Sequence, residues 1–139
     1  MIVNRTIIES SITGDKIVKL KHSSGLDIYV CEMEGFSTTE ALFGTKYGSI
    51  NTTFKTKADK DFVTVPEGIA HFLEHKMFEN EDGDAFEKYA KTGANANAFT
   101  SFDKTCYIFT ATENVDESLD ILLDFVTKPY FTPQTVQKE

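Results

Sequence analysis

Between Pro66 and Phe78 the chain sets His71, Glu74 and His75 among Ile69, Phe72, Leu73 and Met77, at spacings that only an α-helix sorts into two faces. In a helix the apolar residues fall on one stripe and the ionisable ones on the other, whereas a strand would scatter both groups over both faces. Pro66 suits a first helical turn, where its missing N–H has no partner to lose, and Glu67 suits the positive end of the helix dipole. The spacing therefore predicts a helix from Pro66-Glu67 to about Phe78, ending before Asn80-Glu81-Asp82-Gly83. Its apolar stripe is expected to face the interior and its His/Glu face a cleft.

Strand pattern surrounds this helix. Lys16–Leu20 alternates polar and apolar residues, His22-Ser23-Ser24-Gly25 supplies turn chemistry, and Leu26–Cys31 resumes the alternation, which predicts a hairpin. Ala41–Ile50 is more apolar and is expected as a third, more central strand. Phe54–Val63 is polar and aperiodic, the signature of an exposed loop. A second helix is expected over Ala85–Lys91, stopped by Gly93, and strands over Asn95–Ser101 and Thr105–Thr112. A third helix spans about Asp116–Val126, with Asn114 as its cap and Leu119, Leu122, Leu123 and Val126 on one stripe. Thr132-Pro133 then opens a fourth over Gln134–Glu139, which is expected to be cut short because no Gly, Asn or Pro closes it. This order predicts an α+β fold, with helices packed on one face of a mainly antiparallel sheet and residues 1–139 forming a single domain.

Composition narrows the function. Twelve Phe and five Tyr in 139 residues support a real core. The net charge of −8, with no cluster of Lys or Arg, argues against nucleic acid and anionic membrane as partners, since both need a positive surface. Cys31 and Cys106 lie far apart with no CxxC spacing, so neither a disulfide framework nor a thiolate metal site is indicated, and both are expected as buried free thiols. Met1-Ile2-Val3-Asn4-Arg5 is not the long apolar run of a signal peptide, and no stretch has the length of a membrane-spanning helix; a cytoplasmic protein is the expectation.

The chemistry sits on the first helix. Residues four apart project from one face with Cβ atoms about 6 Å apart, so His71 and His75 can close on one Zn2+. Glu74 stands beside them, placed to take a proton from an attacking water and pass it to a leaving amine. H-x-x-E-H is the inverse of the commoner H-E-x-x-H and serves the same chemistry.

The run Pro66-Glu67-Gly68-Ile69-Ala70-His71-Phe72-Leu73-Glu74-His75-Lys76-Met77-Phe78 resembles the active-site helix of the pitrilysin (insulinase) family of zinc peptidases. Ala96-Asn97-Ala98-Phe99-Thr100-Ser101 resembles that family's edge strand, Cys106-Tyr107 falls where its next strand lies, and Tyr47-Gly48-Ser49 resembles the glycine-containing strand ahead of the helix. The likeness is nearly continuous from about Leu42 to Glu139 and one of pattern alone before that.

The resemblance implies a zinc endopeptidase acting on peptides or unfolded proteins, with His71 and His75 as ligands and Glu74 as general base. It implies that Asn97 and Ala98 bind peptide, chiefly through backbone groups by strand addition. The family's third ligand is a glutamate on the helix that Gln134–Glu139 would open. Glu139 matches an earlier glutamate that supports the site, with the ligand itself about two helical turns further on; with short intervening loops, Glu139 would be the ligand. The chain would then be the N-terminal, catalytic-type part of a larger peptidase, inactive or nearly so alone, and partnered by the remaining domains or by a homologous subunit. The alternative is a non-catalytic family subunit that binds peptide or serves as a scaffold.

Overall fold

The hairpin expected between Lys16 and Cys31 forms, and a strand that the alternation rule does not detect joins it. In the computed structural model, which describes residues 1–138, β1 (Ile2–Glu9), β2 (Lys16–His22) and β3 (Asp27–Cys31) make an antiparallel sheet in the order β1-β2-β3. β1 is rich in β-branched residues, but they come in adjacent pairs, Ile2-Val3 and Ile7-Ile8, and its register slips between Ile2 and Asn4. Both features hide the two-residue period. Cross-strand rows sort the side chains: Ile7, Val18 and Val30 share one face, and Thr6, Lys19 and Tyr29 the other. These strands fall in one of the chain's two compact units, Met1–Phe36, which contains no helix. Cys31 is exposed at the end of β3, not buried as its apolar neighbours suggest, because β3 is an edge strand of a sheet that its own unit does not cover.

The second unit, from Ser37 onward, holds the remaining elements. In chain order they are β4 (Thr39–Thr45), the short pair β5 (Thr53–Phe54) and β6 (Val63–Thr64), α1 (Ile69–Met77), the short pair β7 (Glu79–Asn80) and β8 (Gly83–Asp84), α2 (Ala85–Thr92), β9 (Asn95–Thr100), β10 (Thr105–Ala111), α3 (Val115–Thr127) and α4 (Pro133–Lys138). Its main sheet is antiparallel in the order β4-β10-β9. The expectation that the strand at residues 41–50 is central is corrected: β4 is an edge strand ending at Thr45, and β10 is the central one. The burial of the two strands accounts for the difference, since β10 buries Thr105, Cys106, Tyr107, Phe109 and Ala111 while Leu42 on β4 is exposed.

One face of this sheet carries the core, as an α+β arrangement requires. Ala41 and Phe43, Tyr107 and Phe109, and Ala96 and Ala98 line it, and Phe78, Ala85, Tyr89, Leu122 and Phe125 descend on them from the helical layer. Phe78 stacks on Phe125 at 5.0 Å and meets Tyr107 edge-on at 5.8 Å. Each fully buried aromatic of this kind contributes about 1.5–3 kcal/mol, so the end of α1 is pinned to α3 and β10.

Local chemistry sets the helix ends. Gly68, with φ +88°, breaks the helical path, so α1 begins at Ile69 rather than at Pro66-Glu67 and has no acidic residue in its first turn. Asp84 caps α2 by accepting from the Phe86 N–H at 2.8 Å, and Thr132 caps α4 by accepting from the Thr135 N–H at 3.1 Å. Asn114 precedes α3 as expected but does not cap it; its amide donates to the Thr92 carbonyl at the end of α2. The polar stretch after Phe54 is a largely exposed loop closed by the β5–β6 pair.

Gly48 is required by a close approach. The loop it begins docks on the β9–β10 turn through Ser49 N–H to the Ser101 carbonyl at 2.9 Å and Ile50 N–H to the Phe102 carbonyl at 3.0 Å. A Cβ there would lie 2.5 Å from the Ser101 carbonyl oxygen and 2.6 Å from the Asp103 and Lys104 amide nitrogens, all backbone atoms that cannot step aside. Gly48→Ala is expected to destabilise the chain by about 1–3 kcal/mol, read from the urea midpoint. A cost below about 0.5 kcal/mol would show that the turn yields.

Candidate metal centre

α1 lies against β9 and β10. It faces them with a side rotated from the one its apolar pattern predicts. Ala70, Glu74 and Phe78 are buried and Met77 packs on the core, whereas Ile69, Phe72 and Leu73 are only half-buried. Glu74 therefore points at the sheet margin and the two histidines stay exposed. The rotation follows from bulk. Phe78 and Met77 enter the aromatic core at the helix end, and Ala70, with almost no side chain, lets the first turn come close.

His71 and His75 turn their rings toward each other, with Nε2 atoms 3.2 Å apart and ring planes at 77°. Nitrogens at that distance either share a proton or converge on a cation. Zinc–nitrogen bonds of about 2.0–2.1 Å at a tetrahedral angle separate two ligand nitrogens by about 3.3 Å, so the observed spacing fits zinc without rearrangement. One ligand atom each from His71, Glu74 and His75 all lie within 4.8 Å of one another.

Glu74 is 9% exposed, and its Oε2 accepts a 2.6 Å hydrogen bond from the Thr100 hydroxyl on β9. Thr100 Oγ1 in turn lies 3.3 Å from Thr105 Oγ1, and Thr105, itself buried, donates to the Tyr47 carbonyl at 2.8 Å. Burial first, and the Glu74 charge second, push the Tyr107 phenol up to about 12, so it stays protonated beside the carboxylate across the physiological range. Thr100 and Thr105 are absent from the residues that the sequence singles out. The strand period could have found Thr100, because it follows Ala96 and Ala98 on the face that meets the helix.

Asn97 and Ala98 lie on β9, which pairs with β10 on one side and with no strand on the other among the described residues. The Ser101 N–H to Lys104 carbonyl bond closes the hairpin, so Phe99, Asn97 and Asn95 hydrogen-bond inward to β10 and the backbone groups of Ala98 point outward. The Asn97 side chain covers that edge, its Oδ1 accepting the Ala98 N–H at 2.9 Å. The structure thus brings His71, Glu74 and His75 together and ties Glu74 to the strand that carries Asn97 and Ala98. Glu139 lies outside the described residues. Among the described residues no helix is long and apolar enough to cross a membrane.

Residues 64–139 match the family model described as Insulinase (Peptidase family M16). The chain is 56% identical over 119 residues to the uncharacterized zinc protease YmfH of Bacillus subtilis, which covers 86% of this chain and 28% of that protein. Its fold superposes with a TM-score of 0.84 and 35% identity on a crystal structure from Alicyclobacillus acidocaldarius assigned as an M16-like peptidase, covering 94% of this chain and 30% of the other. Pitrilysin shares the fold with a TM-score of 0.73 at 17% identity, over 99% of this chain and 14% of its own. The chain spans less than a third of the length of each of these proteins.

Proposed function

This chain belongs to the insulinase family, peptidase family M16, and from that premise we propose that it is the N-terminal, catalytic-type domain of a zinc-dependent endopeptidase whose substrates are peptides or unfolded proteins. The observation that carries the reading is the pair of imidazole nitrogens 3.2 Å apart with a carboxylate alongside. The zinc protease names of its relatives support it. His71 and His75 would hold the ion, which would supply Lewis acidity to the reaction when bound. Glu74 takes the proton of the attacking water on a carboxylate oxygen and returns it to the leaving amine nitrogen. Ala98, through its outward backbone groups, and Asn97 align the peptide as an added strand once the Asn97 amide releases the Ala98 N–H.

A catalytic zinc site takes three protein ligands and one open position. His71 and His75 are two of them, and we assign the third to residues beyond those described, with Glu139 as a supporting carboxylate. The 139-residue chain alone is therefore expected to hold zinc loosely and to cleave poorly, and to depend on the remaining domains or a homologous subunit. The test compares the parent protein with His71→Ala by metal analysis and by hydrolysis of an unfolded peptide. Wild type should carry stoichiometric zinc and cleave; His71→Ala should lose both. Unchanged metal content in His71→Ala would remove the site. Zinc without cleavage by the fully assembled parent would make the protein a non-catalytic binding subunit.

A further inference from the structure

Glu74 is a nearly buried carboxylate, and a buried carboxylate with no donor is costly. Its side-chain partner among the described residues is the Thr100 hydroxyl, 2.6 Å from Oε2, a length typical of a hydroxyl donating to an ionised oxygen. Thr100 lies 26 residues further along the chain, on the edge strand rather than on the helix. Proton accounting fixes the direction of this bond. Each threonine hydroxyl has one proton to give. Thr105 gives its own to the Tyr47 carbonyl at 2.8 Å, so the 3.3 Å contact between the threonines leaves Thr100 free to direct its proton to Glu74. The β-branch of Thr100 also restricts its χ1 angle, so the donor is held in place by the strand itself.

We propose that Thr100 is the positioning residue for the general base: its hydroxyl holds Oε2 of Glu74, fixes the carboxylate against the sheet edge, and leaves Oε1 for the proton in transit. The bond also gives the helix bearing the base and the strand bearing Asn97 and Ala98 a shared reference point, so the carboxylate and an aligned peptide keep register with each other. The inference rests on the reading of Glu74 as general base in a zinc peptidase.

Two measurements on the full-length parent test it. In the first, zinc-loaded Thr100→Val, which keeps shape and strand propensity but has no donor, is compared with Thr100→Ser, which keeps the donor. Thr100→Val should lower kcat about 10- to 100-fold with KM and zinc content unchanged, and Thr100→Ser should recover most of it. In the second, the zinc-free protein at a fixed neutral pH is examined by carbon NMR of the Glu74 side-chain carboxyl, assigned through Glu74→Gln. That resonance should move in Thr100→Val and return in Thr100→Ser. A Thr100→Val kcat within about twofold of an active wild type, an unmoved resonance, or equal losses in Val and Ser would each overturn the assignment. A wild type that does not cleave peptide at all refutes the peptidase reading instead, and the zinc-free resonance still decides whether Thr100 holds Glu74.

Discussion

Glu74→Gln in the parent peptidase is expected to keep its zinc and lose about 100- to 10,000-fold in kcat, the usual worth of a positioned general base. The two side chains have nearly the same shape, and the amide oxygen can still accept the Thr100 hydroxyl that Oε2 accepts at 2.6 Å. An amide, however, cannot take up a proton at neutral pH and hand it on. Zinc should stay because the imidazoles of His71 and His75, with Nε2 atoms 3.2 Å apart, hold it, and Glu74 is engaged on the sheet side. Metal analysis and steady-state kinetics on the same preparation read both halves of the expectation. Cleavage within about tenfold of wild type with zinc intact would place the proton transfer elsewhere. Loss of zinc would make Glu74 a ligand.

Side-chain periodicity exposed most of the second unit in advance. α2, β9 and α3 lie within a few residues of where capping residues and apolar spacing put them, and the two histidines with Glu74 converge as one helical turn dictates. What stayed hidden depends on contacts between elements. β1 breaks the two-residue alternation, so only its pairing with β2 identifies it. The rotation of α1, which turns Glu74 inward, is decided by Phe78 meeting Phe125 and Tyr107, residues distant in sequence. The left-handed Gly68 overrode the helix-start signal of Pro66-Glu67, because a φ of +88° cannot belong to an α-helix. The strand period could put Thr100 on the helix-facing side, but that its hydroxyl meets Glu74, 26 positions away, is a contact between elements.

Lys76 makes the strongest structural prediction, and nothing in the spacing of the helix announces it. It follows His75 directly, its side chain is 0% exposed, and its ammonium is paired with Glu79, whose side chain is 25% exposed. An ammonium withdrawn from water is tolerable only while its counter-charge is present. The two residues are therefore not equivalent under substitution. Glu79→Ala strands the charge and should cost about 3 kcal/mol, at the low end for a broken buried pair because Glu79 itself keeps some contact with solvent. Lys76→Met removes the charge with much of its length and should be close to neutral. With Lys76 already Met, adding Glu79→Ala should cost under about 1 kcal/mol. Urea unfolding of the four proteins closes the cycle. The consequence reaches the metal, because Lys76 sits in the last turn of α1 beside His75, where the Phe78 N–H bonds back to the His75 and Lys76 carbonyls, and an ammonium left without its counter-charge would have to open that turn to reach water. Glu79→Ala should therefore weaken zinc binding in the parent as well, whereas Lys76→Met should leave it intact. Equal destabilisation by Lys76→Met and Glu79→Ala would show that the pair holds the helix end by its own attraction, and a Glu79→Ala cost under about 1 kcal/mol would show that the buried ammonium does not depend on its counter-charge.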